Sequence, residues 1–387
     1  MRLGIVSDNI HFVLPTGEVA TENHILLRQL DALANYFDEV IICSPFVQFN
    51  EKKSYSTYTN PKFSFIQLPN RGGSGFKEKV KLLLTIPKWL KAFRQVDKQT
   101  DIVYQRFPNN LNIPGFFYFY FKQKKVFATY TGAWKNESNQ SLTYKFQKWL
   151  LKSFFRGPVF VYAPEKKISK NIFGGFSPSY TLQEWNDETE QVNNRINFLN
   201  NNQLSSIKMI TVGTLNENKN QIYILKTCLL LKQAAIPFHL YIVGEGKLKD
   251  DYAKFIKENN LINNVTITGG LTYTALHKLY RENDFVVQAT LSEGFGKVPI
   301  EGFFHGLIPL LHQSTMAPYF INNQERGFMF DAFEAESLFK LINTIYYTIP
   351  AKLLSNKIEA GRIFVQTQTL ENWANEYYTT VKEYFDL

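Results

Sequence analysis

The stretch Thr290–Gly306 reads T-L-S-E-G-F-G-K-V-P-I-E-G-F-F-H-G and follows a short apolar run, Phe285-Val286-Val287. The run has the length and composition of a buried parallel strand. Gly294 and Gly296 permit a tight turn and a close approach of backbone to a ligand. A helix is predicted to begin near Lys297. Pro299 suits its first turn, where a missing N–H is no loss, and Gly306 suits the position just past its end. A glycine turn feeding a helix start is an anion site, because unpaired N–H groups and the helix dipole point the same way. Glu293 precedes the turn and Glu301 lies on the helix, eight residues later. One carboxylate is thus placed beside the anion's substituent, and the other at the far end of a long ligand.

Working outward, the rest of the second half repeats the strand–turn–helix pattern. Met209–Val212 is a predicted strand ending in Gly213, Leu240–Val243 one ending in Gly244-Glu245-Gly246, and Val265–Thr268 one ending in Gly269-Gly270; Leu307–Leu311 is the next strand after the motif. Glycines at successive strand ends line one sheet edge, where backbone meets ligand. A plain tight turn explains 244–246 equally well. The first half alternates in the same way. Predicted strands are Leu3–Ser7, Val40–Cys43, Phe63–Leu68, Ile102–Gln105, Lys125–Thr129 and Val159–Tyr162, with helices over Glu22–Tyr36 and Lys77–Val96. Alternation of this kind argues for α/β architecture with doubly wound parallel sheets. The turn Pro15-Thr16-Gly17 follows the first strand, where such sheets place ligands, unless Gly17 is an ordinary loop glycine. Residues 183–206 are polar and asparagine-rich without strong periodicity, which marks a linker between two domains.

In order and spacing, V-G-T-L-N-E-N-K (212–219), I-V-G-E-G (242–246), T-G-G-L (268–271) and E-G-F-G-x4-E (293–301) resemble the nucleotide-binding domain of the group 1 (family 4) retaining glycosyltransferases. The resemblance runs through 207–330 and is loose in the first half. It implies the GT-B fold: two Rossmann-like doubly wound domains facing a cleft, with the last helix crossing back to the first domain. Residues 1–185 with 370–387 are then the acceptor domain, 186–206 the linker and 207–369 the nucleotide-sugar domain. It also implies that Glu293 contacts donor-sugar hydroxyls. Gly294, Phe295, Gly296, Lys297 and Val298 supply the turn against sugar and diphosphate, and Glu301 binds the nucleotide ribose. Lys219 stands where the family has its diphosphate lysine; a solvated helix-start lysine is the plainer reading. Thr214 stands where the family has a partnering arginine. Gly213, Gly244, Gly270 and Gly17 complete the implied donor contacts. The acceptor-side candidates are Asp8, His11, Arg106, Tyr130 and Trp134, with Glu137 as a further candidate base. The implied reaction moves a sugar from a nucleoside-diphosphate donor to an acceptor hydroxyl, with the partner a glycan or lipid-linked acceptor. No D-x-D motif stands at a strand end, so neither a metal nor another cofactor is expected. Leaving-group charge falls to Lys219 and the helix start. The tail aromatics Trp373, Tyr377 and Phe385 are expected in the core.

Net charge is +9, but residues 52–170 hold 23 Lys and Arg against 5 Asp and Glu. That basic region calls for an anionic partner: a membrane surface, a nucleic acid or a phosphorylated acceptor. Lys77–Phe93 and Lys145–Arg156 mix lysines with Leu82, Leu83, Leu84, Trp89, Leu90, Phe146, Trp149, Leu150, Leu151, Phe154 and Phe155, a composition that lies in membrane interfaces or, more plainly, forms core. Peripheral contact with an anionic membrane follows, at its cytoplasmic face. No recognition motif supports nucleic acid. A non-catalytic nucleotide-sugar-binding subunit and a GT-B phosphorylase or epimerase are the other classes. No apolar run reaches membrane-spanning length, and the first residues read as a strand and not as a signal peptide. Cys43 and Cys228 are predicted core thiols, as in a reducing cytoplasm.

Overall fold

The computed structural model describes residues 1–51, 55–69, 76–134, 141–314, 316–334 and 336–387, the side chains of 76–83 excepted. Lys77, Lys79, Lys81, Leu82 and Leu83 of the proposed amphipathic helix, and Glu137, lie outside the described side chains. The chain divides into two compact units, Met1–Ser179 with Leu370–Leu387, and Tyr180–Thr369.

The first unit contains β1 (Arg2–Val6), β2 (His11–Val13), β3 (Val19–Thr21), α1 (His24–Ala34), β4 (Glu39–Val47), β5 (Ser56–Thr57), β6 (Phe63–Pro69), α2 (Phe76–Gln99), β7 (Ile102–Phe107), α3 (Asn112–Phe121), β8 (Lys125–Tyr130), α4 (Leu142–Ser153), β9 (Val159–Tyr162) and β10 (Ile172–Gly175). Its sheet runs β10-β9-β8-β7-β1-β4-β2-β3-β5, with β6 also paired to β4. The pairs from β10 to β4 are parallel, as is β4 with β6, while β2–β3 and β3–β5 are antiparallel. The small antiparallel group changes one expectation. Pro15-Thr16-Gly17 is the turn of the β2–β3 hairpin, closed by Gly17 N donating to the Leu14 carbonyl at 2.9 Å, and Gly17 has φ +87° with open space where a Cβ would stand. Its glycine serves the left-handed turn itself.

The second unit contains α5 (Leu182–Asn201), β11 (Ile207–Val212), α6 (Gln221–Gln233), β12 (Phe238–Val243), α7 (Lys249–Glu258), β13 (Val265–Gly269), α8 (Tyr273–Arg281), β14 (Phe285–Gln288), α9 (Lys297–Phe304), β15 (Ile308–His312), α10 (Ala317–Ile321), β16 (Phe328–Phe330), α11 (Ser337–Tyr347) and α12 (Ala351–Gln366). All its strand pairs are parallel, in the order β13-β12-β11-β14-β15-β16. β14 and β15 are buried along their whole lengths. Helices cover both faces, so these strands read as unbroken apolar runs. Neighbouring residues go to opposite faces: Met209 and Val287 join the larger core cluster, Ile210 and Val286 the smaller one under Tyr280 and Leu307. Truncating one of them to alanine should cost about 2–5 kcal/mol. The strand order reverses between β11 and β14, and the loops that follow those two strands therefore flank the switch point.

The stretch read as a linker is instead a helix, α5. A capping box starts it: Thr181 accepts from the Glu184 backbone, and the Glu184 carboxylate accepts from the Thr181 backbone. Glu188, Val192 and Leu199 are buried at helical spacing. One of the three is a carboxylate, which hid the apolar stripe. The final helix, α13 (Leu370–Phe385), packs on the first unit, with Leu370, Trp373, Ala374, Tyr377 and Val381 buried. Tyr377 stacks on Phe160 with ring centroids 3.7 Å apart, and the Thr129 hydroxyl donates to its oxygen at 3.2 Å. Trp373 and Tyr377 are thus core, while Phe385 is half-buried. Cys43 and Cys228 are free, buried thiols, pushed up in pKa by burial. Among the described residues, no helix is long and apolar enough to cross a membrane.

Candidate functional site

The helix predicted near Lys297 starts there. Gly296 is its N-cap, with φ +85°, and no side chain caps the start. A Cβ on Gly296 would lie 3.5 Å from Glu293 Oε2, so the turn folds the backbone over that carboxylate. Phe295 anchors the turn. It is buried, edge-on to Phe320 of α10 at 5.3 Å, so its ring is structural. Val298 packs into the cluster under Tyr280. Gly306 ends the helix at φ +69°, with Leu307 N donating to the Gly302 carbonyl at 2.8 Å and Gly306 N to that of Phe303 at 3.1 Å. Gly302 was not singled out in the sequence, yet a Cβ there would meet Val286 Cγ1 at 2.5 Å. That glycine lets α9 press onto β14.

Across the switch point, the loop after β11 brings Lys219 to this turn. Lys219 Nζ lies 2.6 Å from Glu293 Oε1, and the two side chains are 17% and 28% exposed. Gly213 makes room for the lysine stem: a Cβ there would lie 3.3 Å from Lys219 Cε. Asn218 stitches the two loops together. Its Nδ2 donates to the Ser292 carbonyl at 2.8 Å, its Oδ1 accepts from Ser292 N at 3.1 Å, and its own carbonyl accepts from Leu291 N at 2.9 Å. Sequence reasoning passed over Asn218 because a polar loop residue shows its partner only once two distant loops meet. Thr214 is exposed, and its carbonyl accepts from Gln221 Nε2 at 3.2 Å. Lys297 is half-exposed in the first turn of α9.

Two of the crest glycines are close-packing positions. A Cβ on Gly244 would stand 2.0 Å from the Gly213 carbonyl oxygen, and one on Gly246 2.3 Å from that of Leu215. Neighbouring backbone already requires glycine at both. Gly270 N donates to Glu245 Oε1 at 3.3 Å, a carboxylate also held by Lys249 at 2.9 Å.

Glu301 points from α9 to α8, where the buried Tyr280 hydroxyl donates to its Oε2 at 2.9 Å. The Tyr280 ring stacks on His305, with centroids 5.4 Å apart. His305 Nδ1 lies 2.7 Å from Glu188 Oε1, and its Nε2 lies 3.0 Å from His277 Nδ1. Arg281 grips Glu188 through Nε at 2.9 Å and Nη2 at 2.5 Å. Burial alone would raise the Glu188 carboxyl, but the hydrogen bonds from His305 and Arg281 hold it at about 2. Burial, then the neighbouring His305, lowers His277 to about 3, and burial lowers His305. This network bolts α9 to α5 and α8, which fixes where Glu301 stands.

In the first unit the acceptor-side candidates separate. Asp8 and Arg106 stand near the C-terminal ends of the adjacent strands β1 and β7. Desolvation raises the Asp8 carboxyl, while its backbone hydrogen bond and the Arg106 guanidinium pull the other way. Arg106 Nη1 donates to the Tyr104 hydroxyl at 3.1 Å. His11 does not fit a surface base. It is buried, its Nδ1 3.0 Å from the Asn9 carbonyl and 2.7 Å from Ser44 Oγ, its Nε2 2.8 Å from the Tyr58 hydroxyl, and burial lowers it to about 4. Tyr130 and Trp134 are buried too, edge to face at 5.3 Å, and belong to the core. Among the described residues, no group of three His, Cys, Asp or Glu is placed to hold a metal ion.

Residues 193–361 match the sequence model of glycosyl transferases group 1. A stretch of 103 residues, 27% of the chain, is 31% identical to EpsF of Bacillus subtilis (strain 168), a protein named for glycosyltransferase activity; the match spans 26% of that relative's length. The whole chain is similar in structure to a glycosyltransferase from Rickettsia africae, with a TM-score of 0.68 at 17% identity over 99% of this chain and 98% of that one. It is similar to Anabaena HepE, solved with UDP and glucose, with a TM-score of 0.69 at 14% identity over 99% and 100%. Sucrose-phosphate synthase of Thermosynechococcus elongatus gives 0.69 at 16% identity over 100% and 99%. At such identities the likeness is one of fold. The chain therefore has the GT-B fold, and its residues 193–361 match the group 1 glycosyl transferases.

Proposed function

We propose that this protein is a retaining glycosyltransferase of family 4 that moves a hexose-type sugar from a nucleoside-diphosphate sugar to an acceptor hydroxyl. The observation that carries the reading is the Lys219–Glu293 pair, set before the N-terminus of α9 at the sheet's switch point. A lysine ammonium and a helix start both favour the charge that gathers on a leaving diphosphate. Glu293 is suited to orient the sugar and to stabilise positive charge developing at the anomeric carbon. In the proposed step the bond from C1 to the diphosphate oxygen breaks. The acceptor oxygen bonds to C1 from the same face, and its proton leaves with the β-phosphate. Glu301 takes the ribose hydroxyls. No residue serves as a covalent nucleophile and no metal is called on.

On the acceptor side, Asp8 and Arg106 remain as the crest residues that meet a glycan or lipid-linked acceptor. The setting is the assembly of cell-surface polysaccharide or glycolipid, with the protein peripheral on the cytoplasmic face of the membrane. HepE was solved with UDP-glucose, which makes uridine-diphosphate sugars the first donors to try. The test is a thermal-shift screen against nucleotide sugars, since a ligand that binds only the native state raises the unfolding midpoint. A donor that raises the midpoint, and whose transfer to a glycolipid acceptor is lost in Glu293→Gln, supports the reading. A panel in which no nucleotide sugar shifts the midpoint counts against it.

A further inference from the structure

We propose that the groove between α2 and α3 receives a hydrocarbon chain from an anionic bilayer. This deepens the membrane placement proposed above, on which it rests, and does not depend on the donor site.

The groove has a volume of about 490 Å³ and is lined by Ile86 and Leu90 of α2, Pro114, Phe117, Tyr118 and Phe121 of α3, and Lys122 at the end of α3. α3 reads N-I-P-G-F-F-Y-F-Y-F and carries no charged residue. Phe116 and Phe119 point into the core, while Phe117 and Phe121, four apart and so on one helix face, are 40% and 76% exposed. A helix apolar on all sides needs an apolar phase on its outer side as well. At ten residues α3 is too short to span a bilayer. Leu84 on α2 adds another apolar side chain, 73% exposed. Contiguous apolar surface of this kind marks an interaction site.

Charge decides which apolar phase it meets. Residues 84–134 and 141–156 hold 12 Lys and Arg against two acidic residues. Both acids are already engaged: Asp97 with Lys124 at 3.4 Å, and Asp101 with Arg2 at 3.9 Å. Lys88, Lys91 and Arg94 are exposed on the outer side of α2. Arg156 lies over the Tyr120 ring at 4.0 Å, which ties the end of α3 to the segment after α4. On α4 itself Trp149 lies 5.8 Å from Phe146, and it lies 5.0 Å from Phe154 just after the helix, all three exposed, with Lys145 and Lys152 beside them. Basic residues among exposed tryptophan and phenylalanine, on segments that neighbour α3, are complementary to anionic headgroups above acyl chains. A protein partner would leave that much positive charge to be neutralised, and a nucleic acid would leave the groove unfilled.

The test uses the full chain with dodecyl phosphate below its micellar concentration, followed by calorimetry. Glycerol 3-phosphate serves as the chain-less comparison and dodecyltrimethylammonium as the cationic one. Dodecyl phosphate should bind saturably and the other two should not. Leu90→Gln combined with Phe121→Gln keeps the charge and alters only exposed residues; it should weaken dodecyl phosphate about tenfold. The parent should sediment with vesicles of phosphatidylcholine and phosphatidylglycerol and stay in solution with phosphatidylcholine alone, and the double variant should stay in solution with both. Equal binding of dodecyl phosphate by parent and double variant, equal binding of the cationic amphiphile, or a parent that ignores the anionic vesicles overturns the proposal. Nucleoside-diphosphate binding by the double variant reports separately on the donor site. Its retention beside lost vesicle binding shows that the fold is intact and that the two sites are distinct.

Discussion

Lys219 and Glu293, 74 residues apart in the chain, form an ion pair of 2.6 Å at the switch point of the second sheet. Until a donor arrives, the cation assigned to its diphosphate is held by the carboxylate assigned to its sugar. A bound diphosphate must then compete with Glu293 for the ammonium. Glu293→Gln removes the competitor, so it should tighten binding of a bare nucleoside diphosphate severalfold while lowering turnover by about 100-fold. Lys219→Ala should weaken the same diphosphate by about 1.5–3 kcal/mol, the usual worth of a charge-assisted hydrogen bond. Calorimetry and steady-state kinetics on both variants check this, and a Glu293→Gln protein with weakened diphosphate affinity would contradict the competition.

Tyr280 should act as a positioning residue through Glu301. Its hydroxyl donates to the carboxylate from a fully buried ring, so the geometry of that contact is fixed by the core. Tyr280→Phe should cost about 1 kcal/mol in nucleoside-diphosphate binding. The loss should disappear when the ribose lacks its hydroxyls, because only the ribose contact depends on how Glu301 is held. Glu301→Gln should show the same dependence on the ribose. A Tyr280→Phe loss that persists with a dideoxyribose analogue would instead mean general loosening of α8.

Lys297 replaces, on this reading, the cation that Thr214 does not supply. It sits in the first turn of α9, where a positive charge opposes the helix dipole unless an anion is near. Lys297→Ala should weaken nucleoside-diphosphate binding by about 1–3 kcal/mol and leave the bare nucleoside unchanged. Unchanged diphosphate affinity would make it an ordinary surface lysine.

The strands and the helix that carries Glu301 were legible because each rests on local pattern: apolar runs, and glycine and proline at the ends of a helix. α3 was not, since a helix apolar on all sides has no contrast at a period of 3.6 for the sequence to show. α5 was missed for the opposite reason. Its stripe includes Glu188, and a carboxylate reads as solvent-facing until His305 and Arg281 appear beside it. The crest glycines were visible, but their cause was not. Gly244 and Gly246 are pressed by the backbone of the adjacent strand end, a contact between residues about 30 apart. His11 and Tyr130 were candidates by residue type and place in sequence, and only burial separates them from Asp8 and Arg106.

The histidine network should make the second unit acid-sensitive. His277 falls from an ordinary 6.5 to about 3 through burial and then the nearby His305, and His305 is lowered by burial. The groups facing this pair are Glu188, Arg281, Glu184 and Arg195. A histidine with a depressed folded pKa binds its proton more readily in the unfolded chain. Its contribution is therefore whole above about 6.5 and is lost as pH falls below that value, at about 1.4 kcal/mol per pH unit for each histidine well below it. Glu188, held at about 2 against an ordinary 4.5, adds a second loss only below 4.5. Thermal unfolding of the parent should thus weaken steadily from pH 6.5 to 5, before any contribution from Glu188. His277→Gln, which keeps a hydrogen-bonding group beside His305, should flatten that slope by about one histidine's share while leaving the region below 4.5 steep. His11, lowered to about 4 in the first unit, supplies an internal comparison, since its share of the slope survives in the variant. A His277→Gln protein with the parent's slope between pH 6.5 and 5 would show that the network does not keep that histidine neutral.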